Sequence, residues 1–368
     1  MDIHQLYQEF VNKVPHIELD RRELMDRNAP NKSTRILLGE SSNVLNWNDV
    51  RFPWSYGLYK KFLGNFWTPF EINMQADKKD FPLLTEEQQD TFLKIIGLLS
   101  FLDSMQSDYS ADISKHLTDS SLNALMIMLA QQEVIHNQSY SYILASVEQT
   151  KEAQDKVFEF WKHDEVLINR NDFIVNGYKP QVKHPTITDM LVSIIYDVVL
   201  EGLFFYSGFA FFYDLARHGK MVASATMINY INRDEQQHVR LFTEIFKAIK
   251  QDFPEYDVPE LKALTTAIFK KAAELETTWS HYIIGTRFPT IDVDELAGYI
   301  RFIANVRTKQ LGAEPPFLRQ ETNPMEWIKV YAETDLGKTD FFEQKSRAYT
   351  KTDDTFDDTE DIDLGGLL

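Results

Sequence analysis

The sequence predicts an all-α protein built from long helices. From about residue 85 onward, apolar side chains recur at the three- and four-residue spacing of an amphipathic helix, and the alternation typical of strands is scarce. Most of the 13 prolines fall between these helical stretches. Long helices joined by short connections bury their apolar faces against one another, so we expect a helical bundle.

Capping residues indicate where the helices begin. Thr85-Glu-Glu-Gln is a capping box, which predicts a helix that runs from there towards His116. Thr118-Asp-Ser caps a second helix, from Ser121 to about Thr150. Further helices are expected at about 152–170, 187–217, 222–251, 259–286 and 293–311. The residues before the capping box give mixed signals, with turns at several prolines and asparagines.

The composition excludes several kinds of site and partner. The 368 residues include no cysteine, so the chain has no disulfide, thiolate metal site or cysteine nucleophile. Any metal must therefore be held by His, Asp and Glu. The net charge of −18 argues against a nucleic-acid-binding protein, which would present a basic face.

Part of the negative charge lies at the carboxyl end. Residues 351–368 contain seven acids and one lysine, and the chain there is rich in Asp and Thr before it ends Gly-Gly-Leu-Leu. Such a composition is typical of a disordered segment. We therefore expect one helical domain over 1–345 and a flexible acidic tail over 346–368.

One stretch is apolar enough to resemble a membrane span. Ile194–Tyr213 carries Asp197 and Glu201, and each acid at mid-span would cost about 2.5–3.5 kcal/mol in lipid. A buried core helix is the better interpretation. The first residues lack the basic start and apolar run of a signal peptide, so we expect a soluble, cytoplasmic protein without a membrane partner.

One pattern of chemically active residues occurs twice. An acid in one helix is followed by a Glu-x-x-His motif on the next, after 30 residues in the first case and 34 in the second. The first case is Asp103 with Glu133-Val-Ile-His136, and the second is Glu201 with Glu235-Gln-Gln-His238. Residues three apart share one face of a helix, so each motif presents a carboxylate and an imidazole together.

Four carboxylates and two imidazoles in one bundle core match the ligand set of ferritin-like di-iron and di-manganese proteins, with Asp103 in place of one Glu. These donors suit Fe(II) or Mn(II). An isolated Glu-x-x-His is more often a surface ion pair. Here, however, Asp103 lies within GLLSFLDSM and Glu201 within VLEGLFFY, and acids in such apolar helices seldom lack a partner. The sequence therefore predicts a dinuclear metal site.

A tyrosine lies beside the predicted site. Tyr140 follows Glu133 by seven residues on the same face, roughly 10 Å along the helix axis. Phe205 and Phe209 follow one acid ligand at four and eight residues, and Ile231 precedes another by four. Taken alone, Tyr140 is either a radical site in an apolar pocket or a core tyrosine that hydrogen-bonds a ligand.

In these motifs the chain resembles the radical-generating small subunit (beta, or R2) of class I ribonucleotide reductase, over about residues 45–349 and in the tail. LLSFLDSMQ, QQEVIHNQSY, VLEGLFFYSGF and INRDEQQH are similar to the family's four ligand segments, in order and spacing. The resemblance implies one metal on Asp103, Glu133 and His136, a second on Glu201, Glu235 and His238, and a Tyr140 radical in a pocket of Phe205, Phe209 and Ile231. It implies two Fe ions per chain, with Mn or mixed Mn/Fe as alternatives.

The resemblance also implies a radical-transfer route. Trp67, in GNFWTPFEI, is similar to the family's electron-transferring tryptophan, and Asp234 to the aspartate that links it to a metal-bound histidine. Gln106, one turn after the first acid, is expected near the same network. Tyr349 in the tail and Glu343, six residues before it, match the family's relay residues by their register with the other motifs.

The function implied is that of a homodimeric subunit that passes its radical to a large subunit, which reduces ribonucleotides to deoxyribonucleotides. The tail from residue 350 is expected to dock on that partner through Phe356, Ile362, Leu364, Leu367 and Leu368. Two alternatives share the ligand set. A di-iron oxygenase or oxidase would need a substrate channel, and a metal-storage protein would assemble into a cage.

Overall fold

Long α-helices joined by short loops carry most of the chain. The structure, a computed structural model, describes residues 2–148 and 150–332. The helices are α1 (Ile3–Lys13), α2 (Pro53–Gly64), α3 (Gln75–Asp80), α4 (Glu86–Ser114), α5 (Ser120–Val147), α6 (Lys151–Glu159), α7 (Glu165–Lys183), α8 (Ile187–Val199), α9 (Tyr206–Arg217), α10 (Val222–Asp252), α11 (Pro259–Ile283), α12 (Val293–Gln310) and α13 (Lys329–Ala332). No β-strand occurs in the two described ranges, and the predicted all-α fold is confirmed.

Both helices with predicted caps begin as expected. Thr85 Oγ1 accepts a hydrogen bond from the Gln88 N–H, and Gln88 Oε1 accepts one from the Thr85 N–H, each at 3.2 Å. At the start of α5, Asp119 Oδ1 accepts from the N–H groups of Ser121 at 2.9 Å and Leu122 at 3.3 Å. Helices α10, α11 and α12 also begin at the predicted residues.

The prediction of a single helix over 152–170 is wrong. Helix α6 ends at Glu159, a 3₁₀ turn covers 160–162, and α7 begins at Glu165. The reason is Asp164, whose Oδ1 accepts a hydrogen bond from the Leu167 N–H at 2.9 Å and so caps a new helix.

Two helices form where the sequence signals are mixed. Helix α1 packs on α11, and α2 packs on α5 and α10. Pro53 occupies the first position of α2, where its missing N–H would have no partner within the helix. The chain that follows α2 brings Trp67 into the core, where the indole is buried.

The apolar run Ile187–Arg217 is the one stretch among the described residues that is long and apolar enough to cross a membrane, and it is buried throughout its most apolar window. The core-helix interpretation is therefore confirmed. The predicted continuous helix over 187–217 is interrupted, however, because a π-helical turn, Leu200–Phe204, separates α8 from α9.

Helix α10 is anchored at its start by a residue from another helix. Asp77 of α3 is fully buried, and its carboxylate accepts hydrogen bonds from the N–H groups of Ala223 at 3.0 Å and Ser224 at 2.7 Å. The Ser224 hydroxyl donates to the same carboxylate at 2.6 Å. Asp77 thus supplies the partners that the first turn of α10 needs.

Candidate metal centre

Four segments of the bundle project acids and histidines into one buried region. They are α4, α5, the π turn between α8 and α9, and α10. The side chains are Asp103 from α4, Glu133 and His136 from α5, Glu201 from the π turn, and Glu235 and His238 from α10, and all six are 0% exposed. Each Glu-x-x-His pair lies on one face of its helix, as the spacing predicts.

The ligand atoms form two overlapping groups, each within 4.8 Å. Glu133 and Glu235 belong to both groups. Asp103 and His136 complete the first, and Glu201 and His238 complete the second. Two carboxylates that belong to both groups, with one acid and one histidine on each side of them, are an arrangement suited to two metal ions. The resemblance instead divides the six residues into three ligands for each metal. That assignment stays a prediction.

Several of the donor atoms fit metal ions because no hydrogen-bond donor or acceptor satisfies them. Both oxygens of Asp103, Glu133 and Glu235 are buried without a hydrogen-bond partner, and so is Nδ1 of His136. His136 Nδ1 lies 3.1 Å from Glu235 Oε1, and His238 Nδ1 lies 3.0 Å from Glu133 Oε1. Buried carboxylates are normally hydrogen-bonded, paired or bound to a metal. These atoms converge on the space that two cations would occupy.

Protonation equilibria in the centre reflect burial and mutual repulsion. Burial, and then the neighbouring Glu133 carboxylate, raises the pKa of Asp103 well above its usual value. Burial likewise raises the pKa of Glu201, although His238 opposes the shift. Burial works to lower the pKa of both histidines, but the surrounding carboxylates outweigh it and raise each pKa well above the usual value. Metal binding would therefore displace protons from the centre.

The two imidazoles are oriented by polar groups on their outer sides. His136 Nε2 lies 3.3 Å from Asp234 Oδ2, and His238 Nε2 lies 3.1 Å from Gln132 Oε1. Nδ1 of His238 lies 2.8 Å from Glu201 Oε2. Both Nδ1 atoms thus face the carboxylates, and outer contacts of this kind set the tautomer and direction of metal-binding histidines.

The structure brings Trp67, Asp234 and His136 into contact. Trp67 Nε1 donates a hydrogen bond to Asp234 Oδ2 at 2.9 Å, and the same oxygen faces His136. The indole and imidazole rings are stacked with their centroids 6.3 Å apart. This is the connection that the resemblance implies, and its role in radical transfer stays a prediction.

Tyr140 is fully buried on α5, and its hydroxyl has no hydrogen-bond partner of suitable geometry. Burial, followed by the carboxylates of Asp103 and Glu235, raises the pKa of this phenol well above its usual value. Phe205 and Phe209 are buried, and their stacked rings have centroids 5.6 Å apart. Ile231 is buried in the same core. The phenol is therefore neutral and shielded from water.

Gln106 was expected near Trp67 and Asp234, but its hydrogen bonds place it behind Glu201 instead, so that prediction is wrong. Sequence reasoning also missed part of the hydrogen-bond network there. Gln106 Nε2 donates to Asp197 Oδ1 at 2.5 Å and to Glu201 Oε1, and Gln106 Oε1 accepts from the Tyr178 hydroxyl at 2.9 Å. Asp197 precedes Glu201 by one helical turn in the same apolar run, which is a signal that could have identified it. Nothing in the sequence marks Tyr178 or Gln132. Tyr349, Glu343 and the tail lie outside the described residues.

Comparison with known proteins decides the family. A family model described as "Ribonucleotide reductase, small chain" matches residues 44–324. The chain belongs to this family. A ribonucleoside-diphosphate reductase subunit beta of Halalkalibacterium halodurans is 57% identical over 343 residues, which cover 93% of this chain and 99% of the relative.

Solved structures agree with the family assignment. A putative class I ribonucleotide reductase from Bacillus halodurans is 57% identical with a TM-score of 0.82, covering 85% of this chain and 100% of its own. An R2 subunit from Clostridium botulinum is 35% identical with a TM-score of 0.83, covering 86% and 99%. The chain is thus a small subunit of class I ribonucleotide reductase, an oxidoreductase that acts with a large subunit, and the predicted function is confirmed. The family carries a dinuclear metal site, and the donors found here fit Fe or Mn.

Proposed function

We propose that the six buried acids and histidines hold two Fe or Mn ions and that Tyr140 is the residue oxidised to a radical. The observation that carries this proposal is the pair of overlapping ligand groups, with Glu133 and Glu235 common to both. Asp103, a member of the first group, acts electrostatically on the Tyr140 phenol. The oxidisable side chain therefore lies beside the metal-binding carboxylates.

The six residues would hold two Fe or Mn ions, and such a pair would supply the one-electron oxidant for Tyr140, with O2 or, for Mn, an activated oxygen species as the co-reactant. Tyr140 gives up one electron and its phenolic proton. Because burial and the nearby carboxylates keep the phenol protonated, loss of the electron and of the proton are linked. Asp103 is the nearby carboxylate that would accept the proton, and the buried Phe205, Phe209 and Ile231 keep water from quenching the product.

The radical leaves the site through Asp234 and Trp67. An electron taken from the Trp67 indole moves towards the centre along the Asp234–His136 contact, and the indole proton is already hydrogen-bonded to Asp234. Glu343 and Tyr349 are proposed as the next relays towards the large subunit, by resemblance alone.

We further propose a cytoplasmic homodimer without nucleic-acid or membrane partners. The homodimer is supported by exposed apolar side chains on α2, just after it and on α5. Leu63, Phe66, Ile127 and Val134 are each more than half exposed. Apolar surface of this kind marks interaction sites. A dimer would have a mass of about 86 kDa, which is twice the 43.0 kDa of one chain.

Two cavities support a radical generator rather than an oxygenase. A groove of about 1020 Å³ runs between α1, α7 and α11, and none of the six ligands lines it. A cleft of about 100 Å³ beside Trp67 reaches Gln132 but also includes no ligand. Neither offers a chamber for an organic substrate at the metal centre.

The acidic tail is proposed to dock on the large subunit. A chain ending at residue 350 tests this role together with the metal site, because the two depend on different residues. After aerobic reconstitution with Fe(II), full-length and shortened chains should both bind two metals and form the radical. Turnover with the large subunit should be lost only in the shortened chain. Full turnover without the tail would contradict the docking role, and metal binding far below two per chain would contradict the metal site.

A further inference from the structure

Glu201 lies in the one π-helical turn of the described residues. A π turn contains one extra residue and leaves backbone groups at its ends to find other partners. Two of its carbonyl oxygens accept hydrogen bonds from arginine side chains. Gly202 accepts from Arg307 Nε at 3.1 Å, and Phe204 accepts from Arg170 Nη2 at 2.6 Å. The turn that presents Glu201 is therefore held by residues from other helices.

Arg307 is a buried cation with unusual partners. It lies on α12, is 0% exposed, and also donates to the Tyr206 hydroxyl at 2.8 Å and to Gln310 Oε1 at 3.2 Å. All three of its acceptors are neutral oxygens. Arg170, by contrast, is paired with the Glu276 carboxylate at 2.6 Å. Burying a cation is costly unless its contacts compensate. For Arg307 the compensation comes from these three neutral acceptors, one of which is the Gly202 carbonyl of the π turn.

Gly202 lets Arg307 come close to the turn. A Cβ atom at this position would lie 2.7 Å from Arg307 Nε, so a larger residue would push the guanidinium away. The glycine that directly follows Glu201 thus admits the arginine to the backbone of the turn.

The contacts of Arg307 reach from Gly202, within the π turn, to Tyr206, the first residue of α9. The Glu201 carboxylate is held by Gln106 and faces His238 Nδ1 at 2.8 Å. We propose that Arg307 is a positioning residue, which clamps the π turn at Gly202 and the start of α9 at Tyr206 and so fixes the Glu201 carboxylate where it binds metal. This inference rests on the proposed role of Glu201 as a metal ligand.

The test is anaerobic titration of the metal-free protein with Mn(II), followed by EPR of free and bound Mn(II). Arg307→Met should weaken binding at the position held by Glu201 by roughly 10- to 100-fold and alter the EPR spectrum of the bound pair. Thr308→Val is the matched control, because Thr308 is buried on the same helix and its hydroxyl donates to the Ala304 carbonyl at 2.7 Å. The control should bind Mn(II) as the wild type does.

Unchanged affinity and spectrum in Arg307→Met would overturn the positioning role. If that variant does not fold, Tyr206→Phe decides, since it removes one end of the clamp. It should weaken binding in the same direction, and unchanged binding would overturn the proposal. Glu201→Ala distinguishes a failure of the ligand assignment from a failure of the clamp. Wild-type binding in Glu201→Ala would refute the ligand assignment itself, whereas loss there with no effect of Arg307→Met would refute only the clamp.

Discussion

A single oxygen of Asp234 contacts both His136, a proposed metal ligand, and the indole of Trp67. Oδ2 accepts a hydrogen bond from Trp67 at 2.9 Å and lies 3.3 Å from His136 Nε2. A neutral imidazole donates from one nitrogen only. Holding the proton on Nε2 therefore leaves Nδ1 free to bind a metal, and the same carboxylate connects the ligand to the buried indole.

Replacing this carboxylate by an amide should separate metal binding from radical transfer. In Asp234→Asn the ligands remain, but the amide cannot accept from both partners with equal strength. We expect metal content to stay at two per chain and turnover with the large subunit to fall roughly 10- to 100-fold. Asp189→Asn is the control. Asp189 also accepts a hydrogen bond from an aromatic residue, Tyr7, at 2.9 Å, but that contact involves none of the six proposed metal ligands. Wild-type turnover in Asp234→Asn would contradict the route.

The sequence allowed the candidate ligands to be named, but not all of their supporting groups. The Glu-x-x-His spacing determines that carboxylate and imidazole share a face, whatever the packing of the bundle. The contact of Gln132 with His238, and of Tyr178 with Gln106, depends on how separate helices are rotated against each other. Local spacing contains no information about that rotation.

At the scale of the helices, local signals predicted starts better than interruptions. The caps at Thr85 and Asp119 act within one turn and were readable from the sequence. The π turn at Leu200–Phe204 has the same apolar composition as the helices around it. Its hydrogen bonds with Arg170 and Arg307 come from distant parts of the chain, so the periodicity of the run predicted one continuous helix.

The start of α10 depends on a side chain from α3. Asp77→Ala would leave the N–H groups of Ala223 and Ser224 without their buried acceptor. We expect the free energy of unfolding to fall by about 2 kcal/mol, measured as a lower midpoint of urea denaturation. Asp292→Ala, which removes the cap of α12 at a more exposed position, should have a smaller effect. Equal losses in the two variants would contradict the importance of the buried cap.

At the scale of the whole molecule, the buried acids and histidines of the metal centre make the stability of the fold depend on pH when no metal is bound. Asp103 and Glu201 have raised pKa values because of burial, and His136 and His238 have raised pKa values because carboxylates surround them. The folded chain therefore binds more protons than the unfolded chain above the usual pKa of these groups. Under that condition stability falls as pH rises.

Metal removal should accordingly make stability sensitive to pH. The two histidines stabilise the fold fully below their unfolded pKa of about 6.5 and lose that contribution as pH rises through their raised folded pKa. The two carboxyl groups act in the same direction. We expect the melting temperature of chelator-treated protein to fall from about pH 6 upward, and Mn(II) to raise it most at high pH. A metal-free melting temperature that is constant over this range would contradict the account.

The proposed oxidation of Tyr140 by the metal centre is tested most directly by EPR after aerobic reconstitution with Fe(II). The wild-type chain should show a tyrosyl radical signal. Tyr140→Phe should bind two metals per chain and show no such signal, because the substitution removes only the hydroxyl of a side chain that is not a ligand. A tyrosyl signal that persists unchanged in Tyr140→Phe would place the radical on another residue and refute the claim.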